Sequence, residues 1–205
     1  MYKKLVSVFT ITFLISCSDS DTAYIDVPYS SEAERLVEHS KEFEQKVLSY
    51  ETPGGTIHFA IGFGIANSIM VEGEGGNVII DASDSVYEAQ RIYSLFSKKN
   101  QNPIKAIIYT HNHGDHTFGT AFYINNQNEK PQIIAHEDTD YYVQRIMGIL
   151  NPIITDRSNR MFGNALPKEQ VENNGIGPFL EIGRDGRKPG LLYPTKTFTD
   201  QIKFE

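Results

Sequence analysis

The chain has 205 residues, with 19 basic and 26 acidic side chains and a formal charge of −7. Hydrophobic residues make up 40% and charged residues 22%, as in soluble globular domains, so a disordered, collagen-like or many-span membrane chain is excluded. An acidic chain without a long run of Lys and Arg offers nothing for a polyanion to bind, so nucleic acid is not expected as a partner. The single cysteine excludes a disulfide framework and a cysteine-based metal site.

Residues 1–16 have the pattern of a secretory signal peptide. Two lysines, Lys3 and Lys4, precede an apolar stretch over 5–15, which is too short to span a bilayer core of about 30 Å. The Leu-Ile-Ser-Cys run that ends at Cys17 resembles a bacterial lipobox. We therefore predict an exported protein of the periplasm or outer membrane, lipid-anchored at Cys17, with 17–30 as a tether. An ordinary cleaved signal with an incidental cysteine is the alternative.

Residues 31–205 are predicted to form one domain that opens with a helix and a hairpin-rich sheet. Ser and Glu near residue 30 can cap a helix, and apolar residues at near-helical spacing extend it to about residue 50. Pro53-Gly54-Gly55 ends that helix, and β-rich runs follow over 56–63, 65–72 and 77–82. The glycine-rich segment 72–76 is typical of a hairpin turn.

The remainder of the chain predicts alternating helices and strands. Helices are expected over 86–96 and 138–150, and strands over 104–110 and 131–136, both apolar enough to be buried on two faces. Gly, Asn and Pro dominate 167–194, which predicts a long surface loop, and a last strand is expected within 195–205. This order of elements predicts a layered α/β sandwich.

The six residues that directly follow the strand over 104–110 carry the chemistry. They read His111-Asn112-His113-Gly114-Asp115-His116. Residues two apart in an extended loop project to the same side, so His111 and His113 can bind one ion, and the following turn can aim Asp115 and His116 at a second. Nitrogen and oxygen donors without a thiolate favour Zn²⁺, with Fe or Mn as alternatives.

A metal ion at the carboxyl end of a strand predicts hydrolytic chemistry. Such an ion lowers the pKa of its bound water and makes a hydroxide nucleophile. Asp115 is then the expected catalytic residue, since it can hold the second metal and orient that hydroxide. Asp81 follows another strand; it either accepts a hydrogen bond that fixes the metal loop or forms a turn, and both interpretations stay open. His39, His58 and His136 are expected to be structural or surface residues.

The metal loop resembles that of the metallo-β-lactamase superfamily, whose fold is an αβ/βα sandwich with a metal site along one sheet edge. A narrower resemblance, to the alkyl sulfatase branch, rests on the residues 109–116, on Ile134-Ala135-His136-Glu137 and on the residues 157–163. The chain departs from the superfamily's usual Asp-His-x-Gly-Gly, because it has Asp115-His116-Thr117-Phe118-Gly119.

The resemblance implies a zinc-dependent hydrolase of alkyl sulfate esters, which are small amphiphilic substrates. It also implies an arginine that holds the sulfate group; Arg157 matches best by position and Arg160 lies nearby. A guanidinium group offers paired donors to a tetrahedral oxyanion, although both arginines can equally be solvated charges at a helix end. The alternatives are a lactonase or thioesterase of the same superfamily, and a non-catalytic metal-binding envelope lipoprotein.

The resemblance covers only the opening portion of the alkyl sulfatases. It implies that the chain contains the first half to two-thirds of the sandwich, and that further ligands for two zinc ions lie beyond Glu205. We therefore expect the 205 residues alone to bind metal weakly and to turn over little substrate. In the full-length form the resemblance implies a homodimer, with membrane contact only through the lipid anchor.

Overall fold

A computed structural model describes residues 29–167, 171–178 and 186–203. The predicted signal peptide, Cys17 and most of the predicted tether lie outside these residues. Within them, no helix is long and apolar enough to cross a membrane.

The first elements are a helix and a β-hairpin. Helix α1 (Tyr29–Ser40) and a 3-10 turn (Lys41–Phe43) are followed by strand β1 (Lys46–Thr52), which pairs antiparallel with β2 (Gly55–Ile61). The prediction of a helix to residue 50 is therefore wrong beyond Phe43. Val, Tyr and Thr in β1 suit a pleated strand, and pairing with β2 satisfies the backbone groups that a helix would have bonded internally.

The next elements follow the predictions closely. Strands β3 (Ser68–Val71) and β4 (Asn77–Ile80) pair antiparallel around the expected turn. Helix α2 (Val86–Phe96) has the predicted bounds; its N-cap, Ser85, accepts a hydrogen bond from the backbone N–H of Glu88 at 3.2 Å. This cap satisfies one of the amide groups that a helix start leaves unpaired.

The second part of the chain alternates between helices and parallel strands. Its elements are β5 (Ile104–Ile108), α3 (Gly114–Thr117), α4 (Thr120–Asn125), β6 (Gln132–His136), α5 (Thr139–Met147), α6 (Asn151–Phe162) and β7 (Lys196–Phe198). Strands β4, β5, β6 and β7 run parallel to one another. Helix α6 was not predicted, and the last strand is only three residues long. The described parts of the predicted loop, 171–178 and 186–194, contain no helix or strand.

Among the described residues, seven strands form one sheet in the order β1 to β7, with β1 and β7 at its edges. Helices α2 and α4 pack on one face, where Met70, Ile79, Ile92 and Ile107 form part of the core. The prediction that β5 is buried on both faces is wrong. A register shift against β4 places Ile104 and Ile107 in the core. Lys105 is exposed, and the other two residues of the strand, Ala106 and Ile108, are half-buried. Strand β6 does carry three successive buried residues.

Candidate metal centre

The predicted metal loop lies at the carboxyl end of β5. His111 and His113 precede the single helical turn α3, which begins at Gly114 and carries Asp115 and His116. Gly114 allows a close contact, because a Cβ at this position would lie 2.5 Å from the ring of Phe118. The loop therefore turns immediately after the strand and gathers its polar side chains at the sheet edge.

The structure brings all four predicted metal ligands together. The ring centroid of His111 lies 4.0 Å from that of His116 and 4.7 Å from that of His113. His116 Nε2 lies 3.3 Å from Asp115 Oδ2. Two donor atoms that bind the same tetrahedral zinc ion, each at about 2.0–2.1 Å, are about 3.3 Å from each other. The separation of His116 Nε2 from Asp115 Oδ2 therefore suits two ligands of one ion.

The donor atoms are close but do not yet converge on one point. Among the residues that the structure describes, no group of three or more His, Cys, Asp or Glu side chains is arranged to hold a metal ion. The reason lies in their present partners, because His111 Nδ1 lies 3.1 Å from Thr110 Oγ1 and both ring nitrogens of His116 face carboxylates. The donor set fits zinc by its chemistry and proximity, and side-chain rotation is needed to complete the geometry.

Asp81 supports the loop from the end of β4. Its carboxylate accepts hydrogen bonds from Thr110 N at 2.8 Å and Thr110 Oγ1 at 2.7 Å, and lies 2.7 Å from His116 Nδ1. Asp81 also has a φ of 59°, a left-handed conformation that Asp tolerates better than most residues. Asp81 is thus both a turn residue and a hydrogen-bond partner of His116. Its role in positioning His116 as a metal ligand stays a prediction.

Backbone contacts hold the loop against the turn that follows β4. Ala82 N donates to His116 O at 2.7 Å, and Gly119 N donates to Ser83 O at 3.0 Å. A Cβ on Gly119 would lie 1.8 Å from Ala82 O, so only glycine permits this approach. Although the chain departs from Asp-His-x-Gly-Gly, it therefore keeps the second glycine, Gly119, which packs on the turn. Phe118 stands in place of the first glycine and is buried behind the loop.

The charges of the loop residues are strongly coupled. Burial alone lowers the pKa of His116, but the carboxylates of Asp115 and Asp81 outweigh it and raise that pKa to about 9. Burial, together with positive charge on His116 and His113, lowers the pKa of His111. Burial raises the pKa of Asp115, yet its contact with His116 dominates and lowers it overall. The carboxylate is therefore ionised at neutral pH, as a metal ligand must be.

Sequence reasoning missed a buried acid beside the loop. Asp84 is 4% exposed, and burial, reinforced by Glu88, raises the pKa of its carboxyl to about 7. Ser83, next to it, has a φ of 74° and a buried hydroxyl that has no hydrogen-bond partner among the described residues. The Asp-Ala-Ser-Asp-Ser run over 81–85, directly after a strand, is the sequence signal that points to this acid.

The predicted sulfate-binding arginines lie on helix α6, in which no residue is buried. Arg160 is 80% exposed at its side chain and forms an ion pair with Asp156 at 3.2 Å. Arg157 is also exposed. Their binding of sulfate stays a prediction. His136, at the end of β6, packs on Phe198 as a structural residue.

The family model for the metallo-beta-lactamase superfamily matches residues 61–195, which include Asp81 and the whole metal loop. This match covers well over half of the chain. The protein therefore belongs to the metallo-beta-lactamase superfamily, as the resemblance of its loop predicted.

Two named proteins are similar to this chain in sequence. The chain is 33% identical over 138 residues to the linear primary-alkylsulfatase of a Pseudomonas species, covering 65% of this chain and 25% of that protein. It is 30% identical over 136 residues to the 2,4-dinitroanisole O-demethylase subunit alpha of a Nocardioides species, covering 65% of this chain and 35% of that protein. The chain thus spans about a quarter to a third of the length of these relatives.

Solved structures support the fold. The chain matches the stereoselective inverting sec-alkylsulfatase Pisa1 from Pseudomonas sp. with a TM-score of 0.59 at 18% identity, over 78% of this chain and 26% of that one. A double mutant of PisA1 gives a TM-score of 0.63 at the same identity, over 25% of its chain. The predicted metallo-β-lactamase-like α/β fold class is therefore confirmed.

Proposed function

We propose that this protein is a metal-dependent hydrolase that cleaves alkyl sulfate esters. The observation that carries the proposal is the gathering of His111, His113, Asp115 and His116 at the carboxyl end of β5, in a member of this superfamily. Similarity to an alkylsulfatase at 33% identity supports the choice of substrate class.

The four loop residues would hold Zn²⁺, one ion or two. When bound, the ion supplies the positive charge that lowers the pKa of a water molecule and makes it nucleophilic at neutral pH. Asp81 orients the ring of His116, because a bond to Nδ1 leaves Nε2 as the nitrogen that can bind metal. Asp115 is proposed both to bind metal and to orient the attacking water. Arg157, with Arg160, is proposed to receive the sulfate group.

The test compares ester classes on one preparation. The purified protein is loaded with zinc and assayed with decyl sulfate, a lactone and a thioester. We expect decyl sulfate to be cleaved fastest, with free sulfate as the measured product. The double substitution His111→Ala and His113→Ala should lower turnover by a factor on the order of 1,000, whereas His39→Ala, on an exposed helix, should not.

Three outcomes overturn parts of the proposal. Faster lactone or thioester cleavage would assign the protein to another hydrolase of the superfamily. Full zinc occupancy without cleavage of any ester would favour a non-catalytic metal-binding lipoprotein. Absence of bound metal from the correctly folded protein would remove the basis of the mechanism.

A second candidate reaction follows from the other relative. Because the chain is 30% identical to a 2,4-dinitroanisole O-demethylase subunit, the same assay should include 2,4-dinitroanisole. The measured product is dinitrophenolate, which absorbs visible light. Preference for this ether over decyl sulfate would replace the sulfate ester as the proposed substrate.

We further propose that the protein is exported to the periplasm or outer membrane and lipid-anchored at Cys17. The support is the signal-like composition of residues 1–16 and the Leu-Ile-Ser-Cys run. Metabolic labelling with a radioactive fatty acid should label the protein and not the Cys17→Ser variant. Equal labelling of both would refute the anchor. A homodimer of the full-length form, proposed from the resemblance alone, is tested by its mass in solution.

A further inference from the structure

A second group of polar side chains connects strands β1, β2 and the end of β3. Ser49 Oγ lies 2.8 Å from His58 Nδ1, and His58 Nε2 lies 2.9 Å from Glu72 Oε1. Ser49 and His58 are directly opposite each other in the register of β1 and β2. The three side chains therefore form a continuous hydrogen-bonded chain that runs across neighbouring strands.

Burial differs along this chain of contacts. The side chain of His58 is 4% exposed and that of Glu72 is 19% exposed, whereas Ser49 is exposed on the edge strand. The histidine is thus shielded from water, and its serine partner belongs to the exposed edge strand. This is the arrangement that a reactive serine needs, with a protected base and an accessible nucleophile.

The hydrogen-bond roles follow from the charge on Glu72. Its bond with His58 lowers the pKa of the Glu72 carboxyl, which is therefore ionised and accepts only. When His58 is uncharged, its proton lies on Nε2, because a lone pair there would face the carboxylate. Nδ1 is left as an acceptor, so the hydroxyl of Ser49 donates to it. The same histidine can accept that proton as the hydroxyl reacts.

The geometry matches the general pattern of a nucleophile, a base within hydrogen-bond reach, and an acid that orients the base. The two ring nitrogens exchange their usual places, since Nδ1 faces the serine and Nε2 faces the acid. Both contacts lie within the 2.6–3.2 Å that such pairs require.

The group is separate from the metal loop. Strand β1 is an edge of the sheet, and β5, which carries the metal loop, lies four strands away. With neighbouring strands about 4.8 Å apart, Ser49 lies about 19 Å across the sheet from the strand that carries the metal loop. Activity at one site can therefore be measured with the other disabled.

We propose that Ser49 is an activated nucleophile that accepts acyl groups from small activated carboxylic esters, with His58 as its base and Glu72 as a positioning residue. A bond forms between Ser49 Oγ and the carbonyl carbon while the hydroxyl proton moves to His58 Nδ1. The carbon–oxygen bond to the leaving alcohol or phenol then breaks, and that oxygen takes the proton from Nδ1. Water hydrolyses the acyl-serine by the reverse proton transfers and regenerates the hydroxyl.

The test uses two probes on the whole 205-residue chain in the presence of a chelator. A fluorophosphonate should label the protein at Ser49, and p-nitrophenyl acetate should release nitrophenolate with transient acetylation of the same residue. Ser49→Ala should abolish both signals, while Ser94→Ala, which removes another exposed serine, should leave them intact. His58→Gln should slow labelling about 100-fold, as expected for loss of a general base. Glu72→Gln should slow it by a factor on the order of ten, because the ring loses its orienting partner.

Folding and the metal loop are controlled separately. Circular dichroism of each variant shows whether the buried His58→Gln change unfolds the chain. If His58→Gln is unfolded, the test of the proposal rests on the exposed Ser49→Ala variant. The double substitution His111→Ala and His113→Ala should label like the unsubstituted protein. Labelling that is absent, or equal in the unsubstituted protein and Ser49→Ala, would overturn the proposal and leave these contacts as a cross-strand connection.

Discussion

Replacement of Asp81 tests whether one buried carboxylate holds the metal loop in place. Its side chain is only 8% exposed and contacts Thr110 N, Thr110 Oγ1 and His116 Nδ1 within 2.8 Å. We expect Asp81→Ala to leave the Thr110 amide and the imidazole of His116 without their partner. Asp81→Asn keeps the size of the side chain and its tolerance of a positive φ, and so is the matched comparison.

The magnitude follows from these contacts. A neutral hydrogen bond contributes about 1 kcal/mol net and one to a charged group about 1.5–3 kcal/mol. Before a metal ion binds, His116 is charged at neutral pH, because the carboxylates of Asp115 and Asp81 raise its pKa to about 9 despite its burial. Asp81→Ala should therefore lower the free energy of unfolding by about 4 kcal/mol, including the cost of a left-handed alanine. Asp81→Asn, which retains an acceptor for Thr110, should cost about 2 kcal/mol.

Urea denaturation at pH 7, followed by far-ultraviolet circular dichroism, measures both values. Asp200→Ala, at an exposed position, is the control and should change stability by less than about 0.5 kcal/mol. A loss below about 1 kcal/mol for Asp81→Ala would refute the reasoning. Equal losses for Asp81→Ala and Asp81→Asn would show that the hydrogen bonds to Thr110 contribute nothing measurable.

Three further predictions concern neighbouring features. Gly119→Ala should destabilise the fold by at least about 3 kcal/mol in urea denaturation, because its Cβ would lie 1.8 Å from Ala82 O. Gly75→Ala is the control, because a Cβ there would have nothing within 4 Å. Equal effects of the two substitutions would contradict the close contact between Gly119 and Ala82. Burial raises the pKa of Asp84 to about 7, so the folded chain holds its proton more tightly than the unfolded chain and loses stability as the pH rises from about 4 to 7. Between pH 5 and pH 8, Asp84→Asn should remove up to about 2.7 kcal/mol of that loss in urea denaturation, and parallel pH profiles would refute this expectation. Zinc at about 100 times its dissociation constant should stabilise the chain by about 2.7 kcal/mol, and an equal shift in the double substitution His111→Ala and His113→Ala would place the metal elsewhere.

Local patterns predicted those elements whose stability is decided by neighbours in sequence. Helix α2 has its predicted bounds because its N-cap and its buried apolar residues all lie within one short segment. Strand β1 was predicted as a helix, since the apolar spacing between Phe43 and Tyr50 suits both structures. Only pairing with β2 decides between them, and a pairing partner cannot be recognised from the spacing within one strand.

The same division applies to the candidate site. The chemistry of the metal loop could be predicted because His111, His113, Asp115 and His116 are nearly consecutive, so that a single turn can assemble them. The support from Asp81 joins residues 35 positions apart and depends on β4 lying beside β5.

The amino-acid sequence by itself determined the type of donor atoms, the superfamily and the strand after which the loop lies. Tertiary structure alone decided that Asp84 is buried and that Ser49, His58 and Glu72 meet, because burial and cross-strand register depend on contacts between distant segments.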